Sequence, residues 1–95
     1  MQQVPQSILS ILETYYHGKI NITGLRNNGA CTAFNLSGMD VTVVMWTDPK
    51  CFHNCTIMQG DYYGTGVGCT LEEAVQHAID NLKANINGGY ENWTR

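Results

Sequence analysis

The spacing of apolar positions changes period twice along the chain. Near the N-terminus Ile8, Ile11, Leu12 and Tyr15 recur at helical spacing, and Leu9 and Tyr16 widen the stripe. Pro5 suits a first helical turn and Gly18 a stop, so a helix is predicted over residues 5–17. From Lys19 the period falls to two. Residues 19–25 alternate around Ile20 and Ile22, residues 30–36 carry Phe34 and Leu36 inward, and residues 41–46 are the most β-prone run. The turns between them are Arg26-Asn27-Asn28-Gly29, where Asn-Gly is a strong hairpin signal, and Ser37-Gly38-Met39-Asp40. A third turn, Thr47-Asp48-Pro49-Lys50, leads into a fourth strand over residues 51–63. Helical spacing then returns with Leu71, Ala74, Val75, Ala78, Ile79, Leu82 and Ile86. Thr70 and Glu73 form a capping box at the start, and Gly88 and Gly89 supply the stop, giving a helix over residues 70–86.

The element order α-β-β-β-β-α with short turns predicts an α+β fold. It is an antiparallel meander of three to four strands, flanked by an N-terminal and a C-terminal helix packed on one sheet face. Residues 1–95 form a single domain, with 88–95 a short C-terminal tail. A sheet covered on one side should be polar on the other. The third strand departs from this: Val41, Val43 and Met45 occupy one face, but Val44 and Trp46 occupy the opposite one. The second face therefore needs a cover, supplied by the tail with Tyr90 and Trp93, by a second copy, or by a partner. Tyr62 and Tyr63, adjacent on one strand, must split across the two faces. Aromatic side chains bury much area at low entropy cost and concentrate at interface centres. Val44, Trp46, Phe52, Tyr62 and Tyr63 are accordingly the candidate partner-binding residues.

Composition narrows the partner. Lys19, Arg26, Lys50, Lys83 and Arg95 are scattered and the net charge is −3, which argues against the clustered cations that grip phosphates. No apolar run approaches the roughly 20 residues that span a bilayer. The N-terminus lacks a basic start and a small-residue cleavage site, so a cytoplasmic location is expected. Asn21, Asn35, Asn54 and Asn92 each begin an N-x-[ST] sequon, read here as a consequence of an Asn/Thr-rich chain outside the glycosylation pathway.

Candidate chemistry is sparse. Cys51-Phe52-His53-Asn54-Cys55 suggests zinc, but four ligands are needed and no second pair lies close in sequence. On one strand the two cysteines would stand about 13 Å apart. Cys31 with Cys55 or Cys69 could pair across neighbouring strands in an oxidising setting. Gly64-Thr65-Gly66-Val67-Gly68 precedes a helix and could hold an anion, but Glu72 and Glu73 would repel one; the glycines more simply let the strand turn tightly into the helix. No nucleophile elbow, phosphate loop or metalloprotease motif occurs. No catalytic residue, metal ligand or cofactor is assigned, and the chain is expected not to be an enzyme.

The helix–meander–helix order, with 64–74 reading GTGVGCTLEEA, resembles the α-β-β-β-α double-stranded-RNA-binding domain and its G-x-G-x-S-K-K-x-A segment. That resemblance implies an RNA-binding alternative. The family's lysines at the helix start would here be Leu71 and Glu72, so its phosphate grip does not carry over. In type, the chain is also similar to small phage accessory proteins, among them anti-CRISPR and anti-restriction inhibitors. That likeness implies a non-enzymatic protein-binding module acting on a host protein or complex by steric occlusion, with a homodimer as a further expectation. A small zinc-stabilised domain is the remaining alternative.

Overall fold

The structure, a computed structural model, describes residues 4–29 and 31–89. Helix α1 (Gln6–Tyr16) leads into strands β1 (Ile22–Asn27), β2 (Cys31–Leu36), β3 (Val41–Thr47), β4 (His53–Gln59) and β5 (Tyr62–Gly68). Helix α2 (Leu71–Ala84) follows and runs on into a π turn, Asn85–Gly89. The strands form one antiparallel sheet in sequence order, β1-β2-β3-β4-β5. The α+β class and the two flanking helices are as expected, but the meander has five strands. The run 51–63 is not one strand. Gly60, at φ +58°, turns the chain back within it, and its N–H is held by the Asp40 carbonyl at 3.0 Å. Gly64 to Gly68 is then a full edge strand, not a connector. The resulting α-β-β-β-β-β-α order also departs from the α-β-β-β-α domain it resembles.

The helix ends follow local chemistry. Thr70 accepts from the Glu73 N–H at 3.1 Å and Glu73 Oε1 accepts from the Thr70 N–H at 3.2 Å, completing the capping box. Gly88, at φ +114°, closes the C-terminal end. On α1 the left-handed residue is His17, at φ 59°, one position before the expected Gly18; the Gly18 N–H bonds the Glu13 carbonyl at 3.1 Å.

Both helices lie on one sheet face, α2 along β5 and β4 and α1 beside α2. Between helices and sheet sits a core of Ile8, Leu12, Phe34, Leu36, Val41, Val43, Met45, Cys55 and Ile57 with Val75, Ile79 and Leu82, all buried. The inward set of β3 is thus Val41, Val43 and Met45, and Val44 and Trp46 lie on the other face. Under α2 the packing changes character. A Cβ at Gly66 would stand 2.3 Å from the Ala74 carbonyl oxygen and 2.4 Å from the Ala78 nitrogen. One at Gly64 would be equally close to the Ala78 carbonyl oxygen and the Leu82 nitrogen. The alternating glycines form a track on which the helix backbone rests directly, met on its side by Ala74 and Ala78. This close approach, rather than an anion cradle or a tight turn, accounts for the glycine-rich segment.

Candidate functional site

The two outer strands limit where a partner could dock. β5 is an edge by strand order, yet its carbonyls are taken up by α2. Val67 O accepts from His77 Nδ1 at 2.9 Å, Thr65 O from Asn81 Nδ2 at 2.5 Å, and Tyr63 O from Asn85 Nδ2 at 2.5 Å. The ladder works because the repeats match: four helical residues advance about 6.0 Å and two strand residues about 6.6 Å. The His77 contact also requires the proton on Nδ1. On the far edge, β1 carries a bulge between Thr23 and Arg26, with Gly24 at φ +63°. Arg26 Nη1 bonds the Gly24 carbonyl at 2.7 Å and Asn35 Oδ1 at 3.3 Å. A bulge and a cation on an outer strand both discourage strand addition.

The face opposite the helices is the remaining large surface, and register resolves it into rows. Arg26, Ala33, Val44, Thr56 and Thr65 line up across the sheet. Beside them run Cys31, Trp46, Asn54 and Val67, and on the other side Thr23, Asn35, Thr42, Met58 and Tyr63. From β2 to β5 none of these side chains is charged. Polar members bond one another: Asn35 Nδ2 to Thr42 Oγ1 at 2.8 Å, and Thr56 Oγ1 with Thr65 Oγ1 at 3.2 Å. Met58, Tyr63 and Val67 are 39%, 46% and 47% exposed, and Val44 and Trp46 are half-buried between their strand neighbours.

The five residues singled out from sequence separate. Val44, Trp46 and Tyr63 share the open face. Tyr62 lies opposite Gln59 on the helix side of the sheet, and Phe52 precedes β4 in the β3–β4 turn, exposed. Tyr90 and Trp93, the tail residues considered as a cover, lie outside the described residues. Met58 and Val67 complete the face. Sequence pattern conceals them because their strands read as one run followed by a glycine loop; once Gly60-Asp61 is taken as a two-residue turn, alternation places both outward.

Titratable groups elsewhere assemble little chemistry. Ser7 Oγ donates to Glu72 Oε2 at 2.6 Å, and this bond holds the Glu72 carboxyl below its usual range, with His53 adding a smaller effect. A carboxylate lowered in this way is a poor base for activating the hydroxyl it accepts from. His53 Nδ1 stands 3.3 Å from Thr47 Oγ1, beside a cleft of about 220 Å³ lined also by Asn27, Thr32, Met45 and Leu71. The four cysteines are unbonded. Cys55 is buried in the core, its thiol pushed up to about 12 by desolvation; Cys31 is half-buried, and Cys51 and Cys69 are exposed. Among the described residues no three His, Cys, Asp or Glu side chains are grouped to hold a metal ion, and Cys51, His53 and Cys55 point to turn, sheet end and core respectively. No described helix is long and apolar enough to cross a membrane. No family model, curated protein or solved structure matches the chain, so neither resemblance drawn from its sequence gains family-level support.

Proposed function

We propose that this chain is a non-enzymatic protein-binding module whose contact surface is the open face of its sheet. The observation that carries the reading is the uncharged set Val44, Trp46, Met58, Tyr63 and Val67, spread over three strands among Asn54, Thr56 and Thr65 and left uncovered by both helices. Apolar and aromatic groups interleaved with threonine and asparagine match the mixed polarity of a protein interface, where aromatic anchors concentrate the binding energy. Both edges are blunted, which directs contact to the face and not to strand addition. A rigid sheet presenting such a face acts by occupying its partner's surface. An inhibitor of a bacterial defence complex would work in this way, and the identity of the target falls to experiment. Affinity capture with the wild-type chain and with Trp46→Ala, compared in the same bacterial host, tests the reading. Partners seen with wild type should be lost with Trp46→Ala while circular dichroism stays unchanged. Retention of every partner by the variant would refute it.

The RNA-binding alternative finds no support in the helix start, where Leu71, Glu72 and Glu73 replace a phosphate grip. Duplex RNA should show no electrophoretic shift at physiological salt. A salt-dependent micromolar affinity would reinstate that alternative.

A further inference from the structure

We infer that the open sheet face is occupied by a second copy of this chain, giving a four-layer helix–sheet–sheet–helix dimer; the inference rests on the proposed role of that face in binding. Three observations select a second copy. The first is charge. The chain carries a net −3, yet from β2 to β5 the open face holds no charged side chain. A twofold interface sets the surface against a symmetry-related copy of itself, so a charge of one sign near the axis would meet its like. A neutral face meets itself without that cost.

The second observation is hydrogen-bonding character. Thr42, Thr56, Thr65, Asn35 and Asn54 carry groups able both to donate and to accept. Groups of dual capacity can pair with whichever group of the second copy the twofold brings opposite them.

The third is area. Strands about 4.8 Å apart, running seven residues at about 3.3 Å each, make β2 to β5 a plane of roughly 450 Å² per copy. Two such faces bury about 1,000 Å² once relief is included, at the lower bound for a specific interface. A face of this size suits a reversible dimer, whose dissociation constant is set by packing at its centre and not by area. Two twisted sheets meet with strand directions about 30° apart, so side chains at the centre dominate. Val44 on the central strand β3 lies there, flanked by Ala33 and Thr56.

Sedimentation velocity on the full chain between about 1 and 500 µM tests this directly. A concentration-dependent monomer–dimer equilibrium is expected. Val44→Arg, which sets a guanidinium at the centre of the face and leaves the core residues untouched, should remain monomeric at every concentration, with a thermal midpoint matching that of dilute wild type. Should Val44→Arg fail to fold, Val67→Lys at an exposed position of the same face should weaken the dimer at least tenfold. A dimer unaffected by a folded Val44→Arg or by Val67→Lys would place the contact elsewhere and overturn the inference. A wild-type chain that is monomeric throughout would also overturn it. The broader reading is judged separately: loss of captured partners on Trp46→Ala would leave the face a protein-binding surface even in a monomer, whereas their retention would refute that reading while the dimer is decided by sedimentation.

Discussion

Strand β5 shows the two faces of the sheet solving opposite problems with alternate residues. Gly64, Gly66 and Gly68 lie beneath α2 with no side chain, so helix and strand backbones meet directly. Tyr63, Thr65 and Val67 project the other way and are exposed. On the covered face, shape is dictated by backbone atoms that cannot move aside. On the open face, side chains are covered by neither helix. The difference separates residues that maintain the fold from residues available for contact, even where the two are adjacent in sequence.

The sharpest way to break this comparison is to place an alanine on each side of it. Gly66→Ala places a methyl 2.3 Å from a helix carbonyl and 2.4 Å from a helix amide nitrogen. Overpacking against backbone should cost about 3 kcal/mol or more, enough to threaten a domain of this size. Thr65→Ala, one residue earlier on the open face, should cost less than about 1 kcal/mol. Urea unfolding of the two variants provides the measurement. Equal costs would mean that α2 does not rest on the glycine track.

The cysteines offer a chemical version of the same contrast. Cys55 faces the core from β4, whereas Cys31 lies on the open face at β2. A thiol reagent should modify Cys51 and Cys69 readily, Cys31 more slowly, and Cys55 only on unfolding. Burial raises the Cys55 thiol from an ordinary 9.0 to about 12, so the fold favours its protonated form. Below pH 9 both folded and unfolded chains keep the proton and the stabilisation is complete. Above it the unfolded chain ionises first, and stability falls until the folded thiol itself ionises. The loss is about 1.4 kcal/mol one pH unit above the ordinary value. Cys55→Ala should lack this component. Wild type and variant therefore converge in stability between pH 8 and 10; parallel profiles would show the thiol to be solvated.

Much of the covered face was legible in the pattern. The stripe from Leu71 to Leu82 and the Thr70–Glu73 pair locate α2, because amphipathic period and capping are local properties. The split of β3 into Val41, Val43, Met45 and Val44, Trp46 follows from alternation alone. What escaped was non-local. Glycines disfavour strands in isolation, and only a helix laid against them makes GTGVG a stable edge. With β5 hidden, Val67 had no face, and Tyr62 could not be told from Tyr63. His77, Asn81 and Asn85 likewise look like a solvated flank of α2. Their four-residue spacing gains meaning only beside a strand whose outward carbonyls repeat at nearly the same distance.

At the seam between the faces the effects are smaller. Asn81→Ala removes the donor to the Thr65 carbonyl, worth about 1 kcal/mol, but alanine regains about half of that through helix propensity. A net loss of about 0.5 kcal/mol is expected. Gln76→Ala, whose side chain bonds only Asp80 within the helix, should be neutral or slightly stabilising. Replacing His77, Asn81 and Asn85 together removes all three bonds, should cost more than the Asn81 change alone, and should leave β5 able to pair with other strands. Turbidity on heating would report that exposed edge.

The smallest expected change in fold stability is also the most discriminating for the open face. Thr56 lies opposite Val44 on β3 and Thr65 on β5, and its hydroxyl meets that of Thr65 at 3.2 Å. Thr56→Val keeps the branched shape that strands favour and loses one hydrogen bond in contact with water. Monomer stability should therefore shift by less than about 0.5 kcal/mol, a change that would be far larger at a buried position such as Ile57. Self-association should respond in the other direction. The new methyl extends the apolar centre around Val44, so a second copy gains contact where it previously met a hydroxyl, and the dimer should tighten by a few-fold. Val44→Arg and Thr56→Val thus move the same equilibrium in opposite directions from neighbouring strands. A Thr56→Val chain that associates no more strongly than wild type would show that the centre of this face is not where two copies meet.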